Sequence, residues 1–250
     1  MSNDANYIDF FNNGDGDAHS FIARTLFSAA EGRPVDVRND ENHPNYALRQ
    51  KGKVLNFFIS FGGSAHTLSG ALKIPLEEAQ YLIDNFYKGF PGLKKMFDYN
   101  SQYALNTGYI RTNPVTNRIR WMRGWNKYQE LLQKNKSTLT KEEFKTMSIL
   151  KGKIRRRGMN TPIQGSAGDM TKTALKLLRH KLLSYGILPL ENAPIKIVSV
   201  VHDEITLDCL INFKELGVKI LKESMEKAGT YFCKKVNMSA EPVISNFWTH

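Results

Sequence analysis

The feature that most restricts the fold is an apolar run near the C-terminus that three polar residues interrupt. Ile195–Val201 has the composition of a buried strand, and Ile205–Leu207 resumes strand character after His202, Asp203 and Glu204. Two strands so close together predict a β-hairpin with the polar side chains at its tip. Adjacent carboxylates at the end of apolar strands are costly unless a cation meets them, and Mg²⁺ prefers carboxylate oxygens together with substrate phosphates. An ordinary acidic turn is the alternative interpretation.

Helical patterns fill most of the remaining chain, so the expected fold class is α+β. Thr161 and Pro162 are residue types that cap and open a helix, and Gly108 suits a helix C-terminus. The predicted helices cover residues 19–27, 45–68, 76–87, 91–107, 162–184 and 213–233, with a short hairpin over residues 109–121.

Composition narrows the class of protein further. The 250 residues include 35 Lys and Arg against 24 Asp and Glu, a net charge of +11 that favours a polyanionic partner. No apolar run is long enough to span a membrane, and the N-terminus shows no secretory signal. Two cysteines are too few for a disulfide framework or a four-ligand zinc site. A cytoplasmic location is therefore expected.

The predicted helix at 45–68 carries two opposite stripes. Arg49, Lys53, Phe57 and Phe61 recur every four residues and cover about 120° of the helical wheel. The aliphatic residues lie nearly opposite, and they are Leu48, Leu55 and Ile59. Two cations followed by two aromatic rings suit a triphosphate lying along the helix, with its base and sugar near the rings. A surface helix with solvated cations is the alternative.

A third pattern lies at the predicted helix start. Arg156 and Arg157 precede Asn160, and Gln164 and Gly165 follow. Guanidinium groups bind phosphates, and Asn and Gln can hydrogen-bond to base edges. Taken alone, the segment could also be a basic loop with a helix cap.

Together these patterns resemble the family A DNA polymerases, the DNA polymerase I type. The resemblance spans roughly residues 15–250 and rests on motifs in the family's order. The first is the fingers-helix motif, with Arg49, Lys53, Asn56, Phe57, Phe61 and Gly62. The following hairpin motif has Gly108, Tyr109, Ile110 and Thr112, and the palm-helix motif has Arg156, Asn160, Pro162, Gln164 and Gly165. The carboxylate motif is Val201, His202, Asp203 and Glu204. The two ends of the region also match the family, with Asp17, His19 and Ala23 at the start and Trp248 and His250 at the end.

The resemblance implies template-directed DNA synthesis from deoxynucleotides on a primer–template. It assigns nucleotide binding to His19, Arg49, Lys53, Phe57 and Phe61; the Phe at position 57 implies discrimination against dideoxynucleotides. It assigns DNA binding to Gly62, Arg156, Asn160, Gln164 and His202. The implied catalytic residues are Asp203, Glu204 and Lys53, with Asp203 as ligand of two Mg²⁺ ions.

The sequence departs from the family at several points. Phe61 replaces the usual Tyr, Val200 replaces the usual Gln, and a lysine-rich insertion is expected at about 122–155. The family's first palm motif, Asp-x-Ser-x-x-Glu, has no match ahead of Asp17, and neither the thumb nor an exonuclease domain is present. The chain is therefore expected to be inactive by itself and to need an upstream polypeptide that supplies the thumb and the second catalytic Asp, as in a split, phage-like polymerase.

The expected architecture is part of the right-hand polymerase fold, with helical fingers at 1–155 and a C-terminal palm at 156–250. Because the first palm strand is missing, its neighbour in the sheet should be an exposed edge. Two other functions stay open at this point: a non-catalytic basic nucleic-acid-binding relative, and a single-subunit RNA polymerase. Asn56, Phe57, Gln164, Gly165 and Glu204 argue against the RNA polymerase.

Overall fold

The computed structural model describes residues 2–247, apart from the side chains of Ala29 and Lys136. Trp248 and His250, which belong to the resemblance, lie outside the described residues. The described chain divides into two compact units. The first unit runs up to Thr112 and resumes over Arg118–Ile163, and the second combines Asn113–Asn117 with the residues from Gln164 onward. None of the helices within the described residues is long and apolar enough to cross a bilayer.

The first unit is mainly helical. Its helices pack around the rings of Phe86, Phe90 and Phe97 and the side chains of Leu55 and Ile59, all of which are fully buried. The aliphatic stripe predicted on the 45–68 segment therefore faces the core. The elements in this unit are α1 (Ala5–Asn13), α2 (Ala18–Glu31), α3 (Tyr46–Ser60), α4 (Ala65–Leu72), α5 (Leu76–Gly89), α6 (Pro91–Thr107), β1 (Tyr109–Arg111), β2 (Ile119–Trp121), α7 (Trp125–Gln133) and the start of α8 (Lys141–Ser184).

The single helix predicted at 45–68 is wrong in its extent. α3 ends at Ser60, Gly62 adopts a left-handed φ of 70°, and a new helix starts at Ala65. The Gly62 amide turns back to donate to the Ile59 carbonyl at 2.9 Å, which closes the end of α3. Phe61 consequently lies just beyond the helix on which the sequence pattern placed it.

The second unit is built on the predicted hairpin. β3 (Ile195–Val201) pairs antiparallel with β4 (Glu204–Cys209). The C-terminal half of α8 and α9 (Lys214–Phe232) complete this unit, whose core contains the buried Leu178, Ile195 and Ile220. The α+β class is thus confirmed, with many helices and two small antiparallel sheets in the described residues.

The hairpin differs from its prediction in two respects. β3 is not a buried strand, because the side chains of Ile197, Val198 and Val200 are exposed. A bulge between Ile197 and Ser199 leaves Val198 outside the register. Within residues 2–247 this sheet has two strands, so β3 has an unpaired edge. The tip is also tighter than predicted, because Glu204 already pairs with Val201 in the ladder.

The helix start predicted at Thr161–Pro162 is wrong as well. α8 runs without interruption from Lys141 to Ser184, with Pro162 inside it. Pro162 has no amide hydrogen to donate to the preceding turn, which weakens a helix interior. Tertiary packing outweighs that local signal, because Ile154 and Thr161 on the N-terminal side are both buried. The division between the two units falls one residue after Pro162.

Candidate active site

The exposed face of α3 in the first unit carries Lys53 and Phe57, and Phe61 follows at the end of the helix. Lys53 is exposed, and the side chains of Phe57 and Phe61 are 51% and 52% exposed. Large aromatic side chains are usually buried, so two open rings next to cations are informative. Both rings are accessible to a planar ligand.

His19 joins this face from the first turn of α2. Its ring lies 5.6 Å from the Phe57 ring, centroid to centroid. Burial and the positive charges of Arg49 and Lys53 lower the pKa of His19, although Asp17 opposes them. Its Nδ1 atom is buried and has no hydrogen-bond partner. The structure therefore brings together four of the predicted nucleotide-binding residues: His19, Arg49, Lys53 and Phe57.

Arg49 is held by a residue whose contact with it the sequence did not predict. Its Nε donates to Asp17 Oδ2 at 2.8 Å, and its Nη2 donates to Asp17 Oδ1 at 3.2 Å. The Arg49 side chain is only 11% exposed. Burial opposes ionisation of Asp17, but hydrogen bonds from Arg49 and Ser20 hold the pKa of its carboxyl well below the ordinary value. Both partners therefore stay charged at neutral pH.

The end of α3 also contacts α8 within the first unit. Asn160 Nδ2 donates to the Ser60 carbonyl at 3.2 Å. A Cβ added at Gly62 would lie 3.0 Å from Arg156 Cγ, so a side chain at position 62 would crowd that arginine. Gly62, Arg156 and Asn160, three predicted DNA-binding residues, are thus neighbours. Gln164, another of the five predicted DNA-binding residues, is exposed on α8 and belongs to the second unit.

The second unit presents Asp203 on a two-residue turn and Glu204 at the start of β4. His202 adopts a left-handed φ of 54°, and its carbonyl accepts a hydrogen bond from Thr171 Oγ1 at 3.2 Å. Asp203 and Glu204 are exposed. Mg²⁺ commonly takes one or two protein carboxylates and completes its shell with water and phosphate oxygens. The pair fits such a partial ligand set, and the described residues contain no cluster of three or more His, Cys, Asp or Glu side chains that could hold a metal.

Sequence reasoning missed a buried polar network in the second unit. Asp169 is buried and accepts hydrogen bonds from Asn113 Nδ2 at 2.9 Å and Thr116 Oγ1 at 2.7 Å. These bonds tie the 113–117 loop to α8. The Asn113-Pro114 turn signal was visible in the sequence, but its partner lies 56 residues away.

Comparison with known proteins gives the family. The sequence profile of DNA polymerase family A matches residues 1–250. The chain therefore belongs to DNA polymerase family A.

The individual relatives are DNA polymerases I. The chain is 29% identical over 230 residues to DNA polymerase I of Bacillus caldotenax, covering 92% of this chain and 22% of that protein. It is 28% identical over 248 residues to the enzyme of Aquifex aeolicus, covering 97% of this chain and 35% of that protein. Among solved structures it resembles the POL domain of Pol1 from M. smegmatis in complex with DNA primer-template and dNTP. That match has a TM-score of 0.71 and 26% identity, and covers 95% of this chain and 35% of the other. The chain thus covers between 22% and 35% of the length of these proteins.

Proposed function

We propose that this chain carries the nucleotide-binding fingers and the C-terminal palm of an enzyme for template-directed DNA synthesis. The reaction transfers a deoxynucleotide from a dNTP to the 3′ end of a primer. The observation that carries the proposal is the cationic and aromatic face of α3, where Arg49 and Lys53 lie beside His19 and the open ring of Phe57. The family membership and the DNA and dNTP bound to the Pol1 relative support it.

On this face, three side chains bind and orient the triphosphate. Arg49 offers a planar set of donors to phosphate oxygens, Lys53 offers a point charge, and His19 adds a donor. Phe57 supports the sugar, and Phe61 stacks at the templating position. Holding the triphosphate in one orientation contributes to the rate, because the entropy of bringing the reacting groups together is then lost on binding and not in the chemical step.

The proposed DNA contacts lie elsewhere on the chain. Arg156, Asn160 and Gln164 contact the primer–template, Gly62 lets the backbone approach closely, and His202 contacts the primer end. The net charge of +11 fits a polyanionic partner. The same proposal implies the cytoplasm, where free thiols such as Cys209 and Cys233 stay reduced.

Asp203 is the proposed magnesium ligand, with Glu204 beside it. Two Mg²⁺ ions, when bound, stabilise the attacking hydroxyl and the leaving pyrophosphate. One exposed pair of carboxylates supplies few ligands for two ions. We therefore propose that an upstream polypeptide contributes the thumb and a second catalytic Asp, and that this chain does not polymerise DNA by itself. The exposed apolar side chains and the unpaired edge of β3 support a missing neighbour in the sheet.

Substitution of Asp203 tests the proposed role of the carboxylate turn. In the completed enzyme, Asp203→Asn should reduce primer extension at least about a thousandfold, because a neutral amide is a poor magnesium ligand. Asp208→Asn is the matched control, since Asp208 is an exposed carboxylate on the same hairpin. Equal activity of wild type and Asp203→Asn would favour a non-catalytic nucleic-acid-binding protein, and preferential incorporation of ribonucleotides would favour an RNA polymerase.

A further inference from the structure

The pair formed by Asp17 and Arg49 leaves one edge of the guanidinium group unused. Asp17 occupies the edge defined by Nε and Nη2. A guanidinium group has five N–H donors, so three remain, two on Nη1 and one on Nη2. Within residues 2–247, Nη1 of Arg49 meets no acceptor. The free edge, with Nη1 and Nη2 side by side, has the spacing that binds two oxygens of one phosphate.

Asp17 is itself rigidly held. It is the N-cap of α2, where its Oδ1 accepts the His19 amide at 3.2 Å and its Oδ2 accepts Ser20 Oγ at 2.5 Å. Ser20 is fully buried. Two donors from α2 hold the Asp17 carboxylate in place, and the carboxylate in turn fixes Arg49 relative to α2.

The close approach of α2 and α3 makes this contact possible. A Cβ added at Gly52 would lie 2.9 Å from Ala23 Cβ and 3.0 Å from the His19 carbonyl. Glycine at position 52 therefore lets the two helices touch one turn after Arg49. The same approach places His19, with its unpartnered Nδ1, beside Arg49 and Phe57.

We propose that Asp17 is a positioning residue for the incoming nucleotide. It binds the Nε–Nη2 edge of the Arg49 guanidinium group and thereby orients the Nη1–Nη2 edge toward the triphosphate. This inference rests on the proposed function of the α3 face. A purely structural salt bridge is the competing role, and it would affect the stability of the chain without affecting nucleotide affinity.

Neutralising Asp17 tests the positioning role, because positioning and simple electrostatics predict opposite changes in nucleotide affinity. Removing a negative charge beside a phosphate site should by itself tighten binding. Positioning predicts that Asp17→Asn weakens the binding of Mg²⁺–dNTP to the full chain about tenfold, since the two-pronged contact with Arg49 is lost. Asn is as good an N-cap as Asp, so the helix start is preserved.

The control is Asp15→Asn, which removes the same charge two residues away. Asp15 pairs with Arg24 at 2.7 Å in a more exposed position. Its substitution should leave the dissociation constant within about twofold, because surface ion pairs contribute little. Titration of a fluorescent dNTP into each full-length variant measures these constants, and urea unfolding confirms that each variant is folded.

A double-mutant cycle with Arg49→Lys completes the test. Lysine cannot form the planar contact, so Asp17→Asn should cause no further loss of affinity in the Arg49→Lys background. The positioning role would be overturned if the two substitutions caused additive losses of dNTP affinity, or if Asp17→Asn alone left binding unchanged or made it tighter. Either result would leave the proposed function intact. Absence of dNTP binding by the wild-type chain would instead overturn the nucleotide-binding assignment of the α3 face and this inference with it.

Discussion

Asp4 connects the starts of two helices that lie far apart in sequence. Its Oδ1 accepts the Tyr7 amide in the first turn of α1, and its Oδ2 accepts the Gly92 amide at the start of α6 at 2.8 Å. The residue is 2% exposed. A negative charge at two helix N-termini satisfies amides that have no partner within their helices and also interacts favourably with both helix dipoles.

Replacement of Asp4 by Ala should therefore lower the free energy of unfolding by about 2 kcal/mol or more, because both caps are lost and buried amides are left unpaired. Urea unfolding followed by circular dichroism measures the change. Asp9→Ala is the control, since Asp9 is exposed on the same helix and should change stability by less than about 0.5 kcal/mol. Similar losses in the two variants would contradict the capping role of Asp4.

Asp17 contributes to the acid dependence of the chain's stability. Its pKa in the folded chain lies below the ordinary value, despite burial, because Arg49 and Ser20 donate to its carboxylate. A lowered folded-state pKa stabilises the fold fully above the unfolded value of about 4 and loses that contribution as the pH falls toward the folded value. The difference in unfolding free energy between wild type and Asp17→Asn should thus be larger at pH 7 than at about pH 3. A difference that is constant over this range would show that the Asp17 charge does not stabilise the fold.

At the scale of elements, α8 approaches α6 closely in the first unit through a glycine. A Cβ at Gly158 would lie 2.8 Å from both Ala104 Cβ and the Asn100 carbonyl oxygen. Gly158→Ala should therefore destabilise the chain by about 1–3 kcal/mol through overpacking.

Gly168 is the matched control on the same helix, because a Cβ there would have no atom within 4 Å. Gly168→Ala should stabilise by about 0.5–1 kcal/mol, the usual gain of alanine over glycine inside a helix. Thermal unfolding of both variants measures the contrast. Stabilisation by both substitutions would mean that the two helices are not in contact at Gly158.

Local sequence signals predicted where helices lie better than where they end, because a helix end depends on backbone conformation. Gly108 ends α6 as expected, with a φ of 77° and its amide bonded to the Ala104 carbonyl. The end of α3 was missed because the apolar period continues through Leu68 across the glycines at 62 and 63, although those glycines favour a break. Pro162 caused the opposite error. A helix start was predicted there, but packing on both sides of Pro162 maintains one continuous helix.

Long-range contacts were beyond the sequence patterns. The wheel placed Arg49, Lys53 and Phe57 on one face, and in the structure Lys53 and Phe57 are exposed whereas the Arg49 side chain is largely buried. Asp17 lies 32 residues before Arg49, so only the packing of α2 on α3 reveals their pairing. The exposure of β3 was also missed, because its apolar composition is typical of a strand covered on both faces.

For the molecule as a whole, the proposal divides one activity between two units and a further polypeptide. The first unit carries the nucleotide face, and the second carries the Asp203 turn. The chain spans 22% of the Bacillus caldotenax enzyme. The proposal therefore predicts that template-directed synthesis needs a further polypeptide in addition to these 250 residues.

Primer extension tests this claim most directly. The chain should be assayed with Mg²⁺, dNTPs and a primer–template, alone and together with an upstream polypeptide that contains the Asp-x-Ser-x-x-Glu strand and the thumb. We expect no extension by either chain alone and template-dependent extension by the mixture, which Asp203→Asn abolishes. Extension by the 250-residue chain alone at the rate of the mixture would contradict the account.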